Sequence, residues 1–191
     1  MNKKIFFLIN YYNNFKKLLS PSLADINKML QVQEILKIVK KKNKKILIFG
    51  NGGSASIASH VSVDLIKNVK IKCINFNEAN LLTCFSNDFG YENWMKKAVE
   101  YYGDKEDVLI AISSSGQSQN VNKAVVAAKN KKFSKIITFS GFKRDNPLRK
   151  KGDINFWVNS KIYNYVENIH QIMLLSIIDA LTSDLKNKQK N

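Results

Sequence analysis

The chain has 191 residues, 45% of them hydrophobic, and a formal net charge of +16 at pH 7. That length suits one domain with a full core, and no apolar run approaches the ~20 residues of a membrane span, which argues against a membrane-spanning helix. The charge is almost all lysine, with arginine only at Arg144 and Arg149; it is spread over many segments and accompanies no nucleic-acid recognition motif, so it reads as a solvated surface.

The first nine residues carry a basic start and an apolar stretch, Ile5 to Ile9. That stretch is short, and Asn10-Tyr11-Tyr12-Asn13-Asn14 follows without a small-residue cleavage site, so it reads as the start of a helix rather than a signal peptide. The first helix is expected over 2–19 and is ended by Pro21. A second is expected over 22–42, with Leu23, Ile26, Met29, Leu30, Val32, Ile35, Leu36 and Val39 at helical spacing.

Ile46-Leu47-Ile48-Phe49 has the length of a buried strand. It stops at Gly50-Asn51-Gly52-Gly53, where the missing Cβ atoms allow a sharp turn. A helix is expected from Ser54 to Asn68. A strand, a glycine turn and a helix N-terminus make a place to hold an anion. His60 and Asp64 are four residues apart, so they share one face of that helix.

A strand over 70–76 and a helix over 78–86 come next, ending in a turn at Asn87-Asp88-Phe89-Gly90. A further helix is expected over 92–101. Val108-Leu109-Ile110-Ala111-Ile112 is another buried-strand run, and it leads into a second corner, Ser113-Ser114-Ser115-Gly116-Gln117-Ser118. Four hydroxyls and a glycine at a strand-to-helix junction suit a phosphate. Neither the nucleoside-triphosphate loop pattern nor the dinucleotide glycine spacing is present. A helix over 121–131, a strand over 135–140, a short turn at Asn146-Pro147, a strand over 154–158 and a last helix over 163–185 complete the chain. The alternation predicts an α/β fold, a parallel sheet with helices on both faces. Ligands of such sheets sit at the carboxyl ends of the strands, where both corners lie. Cys73 and Cys84 fit no metal spacing and read as buried free thiols of a reducing, cytoplasmic setting.

Asn51-Gly52-Gly53-Ser54-Ala55, His60, Asn87-Asp88-Phe89-Gly90 and Ser113-Ser114-Ser115-Gly116-Gln117-Ser118 together resemble the sugar-isomerase (SIS) fold, and within it the phosphoheptose isomerases. The resemblance implies a three-layer sheet of about five parallel strands. It implies N-terminal helices, residues 1–43, that belong to the same domain and serve assembly into a homo-oligomer. The SIS domain proper would span 44–185, with a frayed tail at 186–191.

By position, the resemblance assigns substrate and phosphate binding to Asn51, Gly52, Gly53, Ser54, Asn87, Asp88, Ser113, Ser114, Ser115 and Ser118. It places the family's metal and substrate histidine on His60, its first catalytic carboxylate on Asp64 and a metal-serving glutamine on Glu167. The family's second catalytic residue, a histidine, falls on Leu175, which transfers no proton and ligates no metal. Asp64 is one methylene shorter than the family's glutamate. The expectation is therefore a sugar-phosphate aldose–ketose isomerase, acting on sedoheptulose 7-phosphate or a related sugar for heptose and surface-polysaccharide supply. Asp64, Glu167 and His60 are its catalytic candidates, with Asp64 the first choice for the base. No cofactor is required by the residues, and zinc at His60, Asp64 and Glu167 is chemically reasonable. The departures leave an alternative, a non-catalytic SIS module that binds a sugar phosphate in a regulatory or partner-protein role. Neither a nucleic-acid nor a membrane partner is expected. In the last helix, Glu167 is given a site role and His170 a packing role.

Overall fold

A computed structural model describes residues 2–188 of the chain. Two helices, α1 (Lys3–Leu18) and α2 (Leu23–Lys41), precede β1 (Lys45–Phe49). Then come α3 (Gly53–Asp64), β2 (Lys72–Ile74), α4 (Ala79–Phe89), α5 (Trp94–Tyr102), β3 (Val108–Ser113), α6 (Gln119–Asn130), β4 (Lys135–Ser140), β5 (Ile154–Trp157) and α7 (Tyr163–Lys188). The five strands form one parallel sheet in the order β2-β1-β3-β4-β5. The expected α/β architecture is thus present. The expected tail at 186–191 falls at and beyond the end of α7, and residues 189–191 lie outside the described residues.

Both faces of the sheet are covered, which is why its strands are apolar runs rather than alternating ones. Successive residues of a strand point to opposite faces. Ile46 and Ile48 of β1 therefore join a core with α2, α3 and α7, through Val32, Leu36, Ile57, Val61, Ile169 and Ile177. Leu47 and Phe49 join the other core, with Trp94, Met95, Val121 and Val125 of α5 and α6. Phe49 stacks on Phe76 at 5.1 Å between ring centres and meets Trp94 edge-on.

Several boundaries differ from the sequence-based expectation, each for a local reason. β2 is only three residues long because Lys70 and Phe76, which flank it, both hold positive φ (62° and 58°) and cannot continue a strand. The expected turn at Asn87-Asp88 is instead the last turn of α4, which runs on to Phe89 and is stopped by Gly90 at φ 82°. The helix expected to run to Asn68 changes to a π turn over Leu65–Val69 directly after Asp64. Cys73 is buried as expected, but Cys84 is exposed, because it lies on the outer face of α4.

The C-terminal helix is fastened to the sheet by one buried polar contact. His170 is fully buried, and its Nε2 lies 3.1 Å from the Ser140 carbonyl oxygen at the end of β4. A carbonyl can only accept, so Nε2 carries the proton. Its Nδ1 has no hydrogen-bond partner among the described residues. The packing role expected for His170 is the one observed, and Phe139 meets its ring edge-on.

Burial holds the His170 pKa down, to about 4. The unfolded chain takes up a proton as pH falls through the ordinary histidine value, whereas the folded chain refuses it until about pH 4. The stability linked to His170 is therefore complete above about pH 6.5 and is lost between there and about pH 4, an effect on the order of 3 kcal/mol. His170→Gln keeps a donor for Ser140 without a titrating group. It should flatten the fall in melting temperature across this acid window, measured by circular dichroism; an unchanged acid slope would rule out His170 as its source.

Candidate functional site

The strand order contains a reversal. From β1 the chain passes through α3 to β2 on one side, then returns through α4 and α5 to β3 on the other side of β1. α3 packs on one face of the sheet and α6 on the other. The loops after β1 and β3 thus part company at the carboxyl edge and leave a crevice between them, the place where open α/β sheets bind ligands.

A cavity of about 300 Å³ occupies this crevice. Asn51, Gly52, Gly53 and Ser54 of the first corner line one side, and Ser113, Ser114, Ser115 and Ser118 of the second line the other. Tyr163 and Glu167 of α7 close the third side. Gly52 sits at φ 55°, ψ −124°, a conformation open in practice only to glycine, and it caps the start of α3. The turn directs the N-terminus of α3 at the cavity, so its dipole favours an anion there.

Around the serine corner the hydroxyls are already organised. The Ser113 and Ser118 hydroxyls are 3.0 Å apart, and the Gln117 N–H donates to Ser115 Oγ at 3.2 Å. Ser113 and Ser114 are nearly buried, at 4% and 5% exposure. Among the described residues no lysine or arginine lines the cavity, so an anion placed there would meet hydroxyls and backbone N–H groups rather than the basic surface.

Glu167 supplies a carboxylate to the lining. Its Oε1 accepts a hydrogen bond from Ser114 Oγ at 3.3 Å, and its carboxylate rests against Gly53, where a Cβ atom would overlap it. The absence of a side chain at Gly53 is what admits the carboxylate to the first corner. Glu167 therefore reaches both corners at once.

His60 and Asp64 form a pair on α3, with Nε2 and Oδ2 3.6 Å apart, as their spacing predicts. Gln171 Nε2 approaches His60 Nδ1 at 3.3 Å. Gln171 is one helical turn beyond Glu167, so the pair sits next to the cavity along the groove between α3 and α7, and not in its lining. Asn87 and Asp88 lie at the end of α4, exposed, with Asn87 Nδ2 donating to Asp88 Oδ1 at 3.0 Å. They also stand outside the lining; the following loop reaches the cavity instead, through Tyr91 Oη, which donates to Asn51 Oδ1 at 3.1 Å. Leu175 packs, partly buried, against the core.

Among the described residues no three His, Cys, Asp or Glu side chains gather closely enough to hold a metal ion. His60 and Asp64 face each other, while the Glu167 carboxylate is engaged by Ser114 and Gly53. The zinc set expected from His60, Asp64 and Glu167 is not assembled by this arrangement.

Sequence reasoning misses Tyr163, Gln171, Tyr91 and Asn120. Tyr163 and Gln171 carry a usable signal, since each lies four residues from Glu167 and shares its helix face. The others are ordinary polar residues whose neighbours are far away in the chain.

If the serine corner grips phosphate, Ser113→Ala and Ser118→Ala should each weaken inorganic phosphate binding about three- to tenfold by calorimetry, through one lost hydroxyl donor. Full affinity in both variants would place the phosphate elsewhere.

A family model for the SIS domain matches residues 10–141. The phosphoheptose isomerase of Helicobacter pylori strain P12 is 35% identical over 181 residues, covering 91% of this chain and 93% of that protein. The phosphoheptose isomerase of Thermodesulfovibrio yellowstonii is 35% identical over 167 residues, covering 84% of this chain and 82% of that protein. Among solved structures, the phosphoheptose isomerase GmhA from Neisseria gonorrhoeae superposes with a TM-score of 0.83 at 24% identity, over 95% of this chain and 98% of that one. The phosphoheptose isomerase from Francisella tularensis gives 0.84 at 21% identity, over 95% and 99%. These structures share the three-layer fold, and the sequence matches carry the kinship further. The chain belongs to the SIS domain family and, within it, to the phosphoheptose isomerases.

Proposed function

We propose that this protein is an aldose–ketose isomerase of a phosphorylated sugar, with sedoheptulose 7-phosphate as the ketose, working in heptose supply. The observation that carries this reading is the placement of Glu167: one carboxylate reaches both phosphate-binding corners of a hydroxyl-lined cavity. The family membership supports it independently.

The reaction moves one carbon-bound proton and shuffles protons between two oxygens through an enediol. In a 2-ketose the base takes a proton from C1 while an acid protonates O2, which gives the enediol across C1 and C2; the proton then returns to C2 as O1 gives up its own. The corners hold the phosphate and so fix the reacting carbons, which converts binding into a lowered barrier. Glu167 is the carboxylate best placed to move the carbon-bound proton. The His60–Asp64 pair is the acid–base partner at the sugar oxygens, from the adjacent turn of the groove. The sequence alone favours Asp64 as the base; its place outside the cavity lining shifts the assignment toward Glu167.

A homo-oligomer fits the first helix, whose Ile5, Phe6, Phe7, Leu8 and Ile9 side chains are all exposed in the single chain. A cytoplasmic setting fits the two free cysteines, Cys73 and Cys84. No helix among the described residues is long and apolar enough to cross a membrane.

The test is proton NMR of the purified protein with sedoheptulose 7-phosphate in D₂O. Deuterium at the carbon next to the carbonyl, with an aldose phosphate accumulating, is the expected result. Glu167→Gln and Asp64→Asn should each lower turnover by about 10²–10⁴-fold with phosphate affinity largely kept, as for lost general acid–base groups. Gly53→Ala should also lower turnover, because the new methyl displaces the flexible end of Glu167. Binding of the sugar phosphate without exchange in the parent protein would refute the enzyme; parental turnover in Glu167→Gln would refute its assigned role.

A further inference from the structure

β1 and β3 pair side by side as far as Phe49 and Ala111, after which the two corners leave the sheet toward opposite faces. One side-chain bridge rejoins them. Asn51 Nδ2 donates to Asn120 Oδ1 at 3.0 Å, and Asn120 Nδ2 donates back to Asn51 Oδ1 at 3.0 Å. Asn120 is the second residue of α6, two past Ser118, and is only 2% exposed. Its Oδ1 also accepts from the Val121 N–H at 2.9 Å. On the outer side, Tyr91 Oη gives Asn51 Oδ1 its second hydrogen bond, at 3.1 Å.

Two amides paired head to tail fix each other's plane, since each supplies the donor the other needs. Both lone pairs of Asn51 Oδ1 are in use, so the Asn51 side chain has one orientation. Asn51 lines the cavity and opens the glycine corner, while Asn120 belongs to the helix that begins at the serine corner. The pair is therefore a strut across the crevice, built on its buried side and latched by Tyr91 on its exposed side.

We propose that Asn120 is a positioning residue of the phosphate site. Acting through Asn51, it holds the glycine corner at the spacing from Ser113, Ser115 and Ser118 that lets both corners grip one phosphate. Tyr91 acts on the same amide from the α4–α5 loop and ties that loop to the grip. The inference rests on the sugar-phosphate isomerase reading. Positional errors of ~1 Å are costly at such sites, so a strut has kinetic consequences. Alanine at position 120 would free Asn51. Aspartate would set a carboxylate oxygen against Asn51 Oδ1 with no donor between them.

The test compares Asn120→Ala, Asn120→Asp, Tyr91→Phe, Asn51→Ala and the Asn51→Ala/Asn120→Ala double variant, each at a temperature where circular dichroism shows it folded. KM and kcat for the sugar phosphate are measured beside the dissociation constant of inorganic phosphate. Asn120→Ala should raise KM and the phosphate constant together, about five- to tenfold, and Tyr91→Phe should raise both about two- to threefold. The double variant should be no worse than Asn51→Ala, because both act through one contact. An Asn120→Ala protein that melts earlier yet keeps the parental KM and phosphate constant would overturn the proposal, and so would additive effects at 51 and 120. Should the position-120 variants fail to fold, an unchanged KM in Tyr91→Phe, at a 55% exposed position, would overturn it alone. If the parent protein isomerises nothing but Asn120→Ala still weakens phosphate, the isomerase reading fails and the strut stands.

Discussion

The reversal of strand order at β1 is the constraint on which the other features of the molecule rest. Because β2 and β3 flank β1 on opposite sides, the loops after β1 and β3 must diverge, one helix passing to each face. A crevice at the carboxyl edge is the geometric consequence. It brings together two distant segments, Asn51 to Ser54 and Ser113 to Ser118. The strands that enforce it are buried on both faces, so the site rests on the most rigid part of the fold.

The cavity is polar without being basic. A chain with a formal charge of +16 places none of its described lysines or arginines in the lining of this cavity. The basic groups instead serve structure at the surface. Lys45 pairs with the buried Asp107 at 2.7 Å, and Lys42 with Glu106 at 2.8 Å. Hydroxyls, backbone N–H groups and the α3 dipole are weaker than a lysine but directional, and they leave room for a carboxylate beside the anion.

α7 carries this carboxylate, and its fastening to the sheet fixes where Glu167 points. His170, one turn below, donates to Ser140 at the end of β4, and Val166 packs where Gly141 lacks a side chain. The Gly141 N–H in turn donates to the Ser114 carbonyl at 2.9 Å, and the Ser114 hydroxyl reaches Glu167. The buried histidine, the end of β4 and the serine corner thus form one connected frame. Leu175, where the resemblance would place a catalytic histidine, contributes to the core beneath it.

Much of this is legible in the chain itself, because it depends on short-range patterning. Apolar runs of four or five residues mark the strands, glycine and serine clusters mark the two corners, and a spacing of four puts His60 and Asp64 on one helix face. Expectation and structure part where non-local packing overrides a local signal. Asn87-Asp88 has the chemistry of a turn, yet α4 continues through it until Gly90. Cys84 has the composition of a core residue and lies on the outer face of α4. Local pattern is thus sufficient for the parallel α/β sheet, the glycine- and hydroxyl-rich character of both corners and the family. It is not sufficient for the entry of Glu167 into the cavity, the place of the His60–Asp64 pair beside that cavity, or the meeting of Asn120 with Asn51. Those outcomes follow from which helix faces which across the sheet, and no periodicity within a single segment encodes a contact between side chains so far apart in the chain.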